Sequence, residues 1–306
     1  MGGIPCSLLS LLTHYQMMFF RLLSRLPLTV LYGLSDFLYF LLFYVGRYRK
    51  RVVLENLRLS FPEKSPADIQ RIARGFYRNL TDLIVETIKM PTMHPDELRK
   101  RVQFTNADLV KQHLQAGQAV VGMASHSSNW EWVPSGSVLH GMPVDSIYKP
   151  LNNPFFEKLM QEVRSTFGAV PVPMHTLPRR MASQRNSPRI IALVADQVPD
   201  VPEQAFWTDF LHRDTPFYPG TERLARSRNL PVFYTHIHRV RRGYYQITFT
   251  SIGQPPYTHL PEGTILERYR DLLEETIRAY PSDWLWSHKR WKHWRGKYPK
   301  IATKLT

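Results

Sequence analysis

The residue pair with the clearest chemical potential is His126 and Glu131, in the segment Val120-Val121-Gly122-Met123-Ala124-Ser125-His126-Ser127-Ser128-Asn129-Trp130-Glu131-Trp132. An apolar run ends at Ser125 and a helical stretch follows. In open α/β sheets the carboxyl end of a strand is where ligands bind. On a continuous helix, side chains five positions apart would diverge by about 140°. If His126 precedes the helix and Glu131 lies in its first turn, the carboxylate can reach back to the imidazole. Accepting one ring N–H would fix the tautomer and leave the other nitrogen free to take a proton from an attacking hydroxyl. The carboxylate would also stabilise the imidazolium, as in a serine protease, while the acceptor alcohol serves as its own nucleophile. The same residues spell a capping box, with Glu131 reaching back to the Ser128 amide. Spacing alone leaves both readings open.

Other site chemistries are less well supported. His236 and His238 alternate on an expected strand and so face one side, but no third ligand matches them. His126 and Glu131 lack the His-Glu-x-x-His spacing of zinc hydrolases. No metal is expected, and these two histidines read as surface residues or satisfied core residues. The single cysteine, Cys6, excludes a disulfide framework and a cysteine-based zinc site. It suits a reducing, cytosol-facing domain.

The elements that must position this pair are legible in outline. Short apolar runs at Ala119 to Ala124, Val144 to Tyr148, Ala169 to Val172 and Ile190 to Ala195 read as strands. The stretches between them, Trp130 to Leu139, Pro154 to Phe167 and Thr176 to Gln184, read as helices. This alternation predicts an α/β core with a largely parallel sheet. Pro231 to Ile237 and Tyr244 to Thr250, around Arg242-Gly243, predict a hairpin closing the sheet. Ser65 to Met90 predicts a long amphipathic helix capped by Ser65, with Pro66 at its first position. Gly263 to Tyr280 predicts another helix. Asn56 to Phe61 carries a loop signal, and the tail after Ile301 is expected to be disordered.

Composition separates the first fifth of the chain from the rest. Hydrophobic residues make up 43% of the 306, too few for a multi-span membrane protein. Leu28 to Val45 is nonetheless almost continuously apolar, and Asp36 is its only side chain charged at neutral pH. Such a run is just long enough to cross a hydrocarbon core of about 30 Å. A mid-span Asp36 would cost about 2.5–3.5 kcal/mol, so spanning and lying in the interface both stay open. Tyr15 to Leu26 mixes apolar residues with Arg21 and Arg25 in the manner of an interfacial amphipathic helix. Arg47-Tyr48-Arg49-Lys50-Arg51 then places that end on the cytoplasmic side. Residues 1–50 are therefore expected to attach the protein to a membrane, and 51–300 to form one catalytic domain.

Forty Lys and Arg against 25 Asp and Glu give a net charge of +15. A surface of this sign attracts anionic lipid, an acidic carrier protein or the phosphates of a coenzyme. No nucleic-acid motif accompanies the charge, so nucleic acid is not the expected partner. Trp284, Trp286, Trp291 and Trp294, interleaved with basic residues, suit a membrane-interface surface.

His126-Ser127-Ser128-Asn129-Trp130-Glu131 resembles the His-x4-Asp/Glu motif of the glycerolipid and lysophospholipid acyltransferase superfamily. The chain from about residue 28 to 292 is similar to one branch, the bacterial lipid A biosynthesis acyltransferases that add lauroyl or myristoyl chains. The likeness runs, in order, through Val53 to Leu57 and Phe61-Pro62-Glu63, the histidine motif, Tyr148 to Pro154, Ala195-Asp196-Gln197, Phe217 to Gly220, and Pro281 to Trp291.

This resemblance implies a glycerolipid-acyltransferase-like sheet flanked by helices behind a hydrophobic anchor helix. It implies His126 and Glu131 as the catalytic pair, with no cofactor. An acyl carrier protein or coenzyme A thioester would be co-substrate, and a membrane lipid hydroxyl the acceptor. A lipid A precursor is the first acceptor it suggests, with a lysophospholipid, aminolipid or glycolipid as alternatives. A non-catalytic membrane lipid-binding protein is the reading from a different class. The resemblance places Ser127, Asn129, Tyr148, Lys149, Asn152, Asp196 and Gln197 at the substrates, with Asp196-Gln197 ordering either the catalytic turn or the acceptor. Backbone amides of the Ser127–Asn129 turn, or a nearby cation, would stabilise the oxyanion. The expected location is the inner membrane, with the catalytic domain facing the cytoplasm. One departure is Lys149, where the family pattern has Arg. A point charge replaces a planar fork, which leaves the acceptor's identity open.

Overall fold

The computed structural model describes residues 6–185 and 187–298. The expected disorder after Ile301 falls outside that range. Helices α1 (Cys6–Ser24) and α2 (Leu28–Phe40) open the chain, and α2 runs into a wider π-helical turn, Leu41–Val45. Then come α3 (Lys50–Ser60), α4 (Pro66–Lys89) and α5 (Pro95–Arg101). The loop expected at Asn56 to Phe61 is thus mostly the end of α3. Asn56 and Leu57 are buried on that helix, and the chain leaves it only at Phe61. Helix α4 starts as its residues dictate, with Ser65 Oγ accepting from the Asp68 amide and Pro66 at the first position.

The α/β body follows as β1 (Val102–Phe104), α6 (Asp108–Gln115), β2 (Val120–Ala124), α7 (Trp132–Leu139), β3 (Val144–Tyr148), α8 (Pro154–Ser165), β4 (Val170–Pro173), α9 (Leu177–Ser183) and β5 (Ile190–Val194). A small antiparallel hairpin, β6 (Phe206–Phe210) and β7 (Arg213–Phe217), stands apart from the main sheet. Helix α10 (Gly220–Arg228), strands β8 (Val232–Arg241) and β9 (Tyr244–Gly253), and helix α11 (Thr264–Ala279) complete the elements.

The main sheet has seven strands in the order β1-β9-β8-β2-β5-β3-β4. Neighbours from β8 to β4 run parallel; β8 and β9 form the antiparallel hairpin, and β1 is parallel to β9. The expected α/β sheet flanked by helices is the fold observed. Strand β2 lies at its middle and is buried throughout, as a parallel strand covered on both faces must be. Its register with β5 pairs Ala124 with Val194, so the residues just beyond each strand emerge side by side.

Helix α2 packs on α4 through Leu31 and Ser35, and Tyr39 continues the buried face at helical spacing. Ser35 Oγ donates to the buried Asp82 of α4 at 2.6 Å. Asp82 also receives Arg239 of β8 and Arg242 of the following turn, each at 2.6 Å. Arg242 reaches Asp36 as well, at 2.8 Å, so the one acid of the apolar run is paired. The opposite face of α2 and its π-turn leaves Val30, Phe37, Phe40, Tyr44 and Val45 exposed. Leu28–Val45 is the one segment among the described residues long and apolar enough to cross a membrane.

Candidate active site

Beyond β2 the chain makes a tight turn before α7. Ser128 occupies the left-handed region at φ 54°, where an L-residue is disfavoured and must be held by its surroundings. Asp283 supplies the hold. Its backbone carbonyl accepts from the Ser128 amide and its carboxylate from Ser128 Oγ, both at 2.8 Å. Behind the turn, Asn129 Oδ1 caps α7 through the Trp132 amide at 3.0 Å. Asn129 Nδ2 donates to the buried Glu86 of α4 at 2.6 Å, where Tyr32 and Tyr245 hydroxyls also converge. Burial raises the Glu86 pKa, and the three donated hydrogen bonds only partly offset it. The capping box expected of Ser128 and Glu131 is absent, because Asn129 performs the capping.

The turn presents His126 to Asp196. Asp196 follows β5, one strand over from β2, and its carboxylate accepts hydrogen bonds from His126 Nδ1 at 2.6 Å and from the His126 amide at 2.9 Å. The Trp284 indole donates to the same carboxylate at 2.8 Å. Burial alone would raise the Asp196 pKa; the neighbouring His126 and these donated hydrogen bonds together outweigh it and keep the group below the ordinary carboxylate range. A carboxylate can only accept, so Nδ1 carries the proton and Nε2 keeps a lone pair. The Gln197 side-chain amide lies 3.1 Å from Nε2, where it can donate to that lone pair.

Glu131 is not the residue that steadies His126. Both its oxygens are held by Arg164 of α8, at 2.8 and 2.7 Å, and the Trp130 indole adds a third bond at 3.1 Å. The left-handed kink at Ser128 breaks the simple strand-to-helix path that the expected reach-back required. Asp196 and Glu131 are instead two separate carboxylates, one behind the imidazole and one in the cavity wall.

A cavity of about 530 Å³ opens beside His126. His126, Glu131, Tyr148, Lys149, Arg164, Gln197, His288 and Lys292 give it a polar rim. It continues along the sheet past Val133 and Pro134 of α7 to Val144, Ile190, Ala192, Ile237 and Phe249. Val144 pairs with Ile190 and Ser146 with Ala192 in the sheet register, so these side chains share one face.

Of the other residues expected at the substrates, Tyr148 lines the cavity, its hydroxyl donating to Glu157 at 2.6 Å and its ring under Arg164. Lys149 lines the cavity while paired with the exposed Asp200 at 2.7 Å. Ser127, Asn129 and Asn152 do not line it. Ser127 and Asn129 are buried in the turn's own hydrogen bonds, and Asn152 is exposed in the loop before α8. Nor are the turn's leading amides free for an oxyanion: the Ser127 amide donates to Ser125 O and the Ser128 amide to Asp283 O.

Trp284 and Trp286 are core residues, not a membrane surface; only Trp294 of the four is strongly exposed. Their segment is stitched to the turn by a bridge between Ser127 and Trp284 and by the Leu285 amide bonding to His126 O. Residues 283–288 are thereby part of the site. The family likeness took in Pro281 to Trp291 but gave the segment no place beside the histidine turn, since contacts such as that of Ser128 with Asp283 join residues 155 positions apart. His236 and His238 are not satisfied: His236 Nε2 and His238 Nδ1 are buried without partners.

Residues 7–293 match the bacterial lipid A biosynthesis acyltransferase family. The chain belongs to that family. It is similar to the lipid A biosynthesis myristoyltransferase of Escherichia coli (strain K12), with 20% identity over 257 residues, 79% of this chain and 75% of that protein. Lipid A biosynthesis acyltransferase 1 of Shigella flexneri matches with the same identity and coverage. The lipid A biosynthesis acyltransferase of Haemophilus influenzae (strain ATCC 51907 / DSM 11121 / KW20 / Rd) is 25% identical over 115 residues, 37% of this chain and 36% of that protein. The cavity combines a polar rim at an imidazole with an apolar interior.

Proposed function

We propose that this acyltransferase moves a fatty acyl group from an acyl carrier protein or coenzyme A thioester to a hydroxyl of a lipid A precursor, with His126 as general base. The observation that carries the reading is the His126–Asp196 pair at the mouth of a cavity with an apolar interior. The acceptor hydroxyl displaces the Gln197 amide from Nε2. As its oxygen attacks the thioester carbonyl, its proton passes to Nε2, and Asp196 stabilises the imidazolium. The tetrahedral intermediate then expels the thiolate, which recovers the proton from His126. No covalent acyl-enzyme forms.

The acyl tail lies along the sheet in the apolar part of the cavity. The four residue steps of β5 from Val194 to Ile190 span about 13 Å, close to the roughly 15 Å of one leaflet's hydrocarbon, half of a core of about 30 Å. Glu131 acts from the wall, neutralising Arg164 beside the reacting space, and Tyr148 and Lys149 meet the acceptor. Residues 1–50 attach the enzyme to the inner membrane with residues 51–300 on the cytoplasmic side. The pairing of α2 with α4 favours attachment through its exposed face over a free span.

The test is an assay of purified protein with radiolabelled myristoyl-acyl carrier protein or myristoyl-coenzyme A and a lipid A precursor in mixed micelles. The expected product is the precursor heavier by one acyl chain, with label lost to alkaline ester hydrolysis. A precursor recovered unchanged with both donors would remove the reading.

A further inference from the structure

The proposed transfer leaves one requirement unmet by the turn: a donor for the negative charge that develops on the thioester oxygen. The Ser127 and Ser128 amides are engaged elsewhere, and Asn129, the third residue of the turn, does not line the cavity. Lys149 is held by Asp200, and Arg164 by Glu131.

His288 meets the requirement. It lines the same cavity as His126. Its place is fixed by the backbone, since the Leu285 amide bonds to His126 O at 3.0 Å and the His288 amide returns to Leu285 O at 3.2 Å. Asn56 Nδ2 clamps the His288 carbonyl at 3.0 Å, and Arg49 clamps that of Ser287 at the same distance. In the same site His126 is bonded to Asp196 and to Gln197 Nε2, Asp196 also accepts from Trp284, and Asn56 Nδ2 donates to the Trp286 carbonyl. No protein partner takes the nitrogens of His288 among the described residues, and they are not buried orphans. The ring is rigidly presented yet chemically free.

We propose that His288 is a second catalytic histidine, donating a ring N–H to the carbonyl oxygen of the thioester and stabilising the oxyanion of the tetrahedral intermediate. This rests on the acyl-transfer reading above. The proton account is unchanged: His126 takes and returns the hydroxyl proton, and His288 keeps its own. Burial pushes the His288 pKa down to about 4; Asp196 opposes that effect, while Arg290, His126 and Lys292 add to it. The ring therefore stays neutral at pH 7. A neutral imidazole is a workable electrophile, the role known for histidine in triosephosphate isomerase.

Steady-state kinetics of His288→Leu and His288→Gln with radiolabelled myristoyl-coenzyme A or myristoyl-acyl carrier protein test this. Loss of one oxyanion donor lowers turnover by about 100-fold or more. His288→Leu is expected to lose that much in kcat with little change in either KM and an unchanged melting temperature. His288→Gln, which restores an N–H, is expected to recover a substantial part. A His288→Leu enzyme within a few-fold of wild type, or one whose loss lies wholly in the acceptor KM, overturns the proposal. So does a Gln variant no better than Leu when both melt like wild type. If His288→Leu does not fold, His288→Phe decides in its place: kcat within a few-fold of wild type, or a loss only in KM, overturns the proposal, and a kcat reduced about 100-fold at unchanged KM supports it. Wild-type protein that transfers nothing would instead defeat the parent reading, which separates the two failures.

Discussion

At Asp196 one carboxylate fixes a tautomer, an orientation and a charge at once. It binds both the ring and the amide of His126, so the imidazole can neither flip nor swing without breaking a buried bond. Asp196→Asn offers an amide that can donate to Nδ1 and so favour the wrong tautomer. Turnover is expected to fall about 10⁴-fold, the scale seen when a serine protease loses its carboxylate in the same way. Glu131→Gln has a different signature. It leaves the mostly buried Arg164 without its carboxylate, a loss of about 3–5 kcal/mol for a broken buried pair, read as a lower melting temperature. Asp196 also makes stability depend on pH. Its folded pKa is depressed, so its contribution is complete above the unfolded value of about 3.9 and is lost as pH falls through the lower folded value. Acid denaturation profiles should show that loss in wild type and not in Asp196→Asn. The histidine and its strand-end position were legible in the sequence; Asp196 entered the site through the family resemblance, as a residue ordering the turn or the acceptor, but its pairing with the ring was not legible. Residue 196 comes next to residue 126 only because β5 inserts beside β2, and a chain read in order cannot display that neighbour.

The elements divide by how local their causes are. Helix α4 was readable because Ser65, Pro66 and the recurring apolar residues act within a few turns. The parallel strands were readable because burial on both faces makes them continuously apolar. Helix α3 and the β6–β7 hairpin were not, since their apolar residues are set by contacts with distant segments. Arg213 of β7 reaches Ser60 of α3, and Asn56 of α3 reaches the carbonyl of Trp286. The cluster around Asp82 joins α2, α4 and the β8–β9 hairpin, and it contains two guanidiniums for one buried carboxylate. Asp82→Ala should therefore destabilise by about 3–5 kcal/mol, mostly through Arg239, which has little access to water. Arg242 is partly exposed and keeps Asp36, so Asp36→Ala should cost well under half as much. Thermal unfolding of the two variants gives the comparison.

Across the whole molecule, the exposed apolar face of α2 and the net charge of +15 are the features on which the proposed membrane attachment rests. In that proposal apolar side chains provide burial in lipid, and Arg47 to Arg51 provide attraction to anionic head groups. Phe37→Glu with Phe40→Glu should weaken binding to vesicles containing anionic lipid by at least about tenfold, since each exposed ring contributes on the order of 1.5–3 kcal/mol when buried. The melting temperature should not change, because neither ring packs in the core. Co-sedimentation with vesicles, and release by salt, would measure it. Under the proposed function, this face would bring a lipid hydroxyl to the rim at His126 while the acyl tail occupies the sheet-side cavity.

The most direct measurement is acyl transfer by His126→Ala beside wild type, at saturating thioester and lipid A precursor. Turnover should drop by at least about 10³-fold, more than one general base typically supplies, because the acceptor hydroxyl loses its position as well as its proton acceptor. The melting temperature is expected to fall, because the buried Asp196 loses its ring partner, so turnover is compared well below the melting point of the variant. Transfer at the wild-type rate by a folded His126→Ala protein would contradict the account.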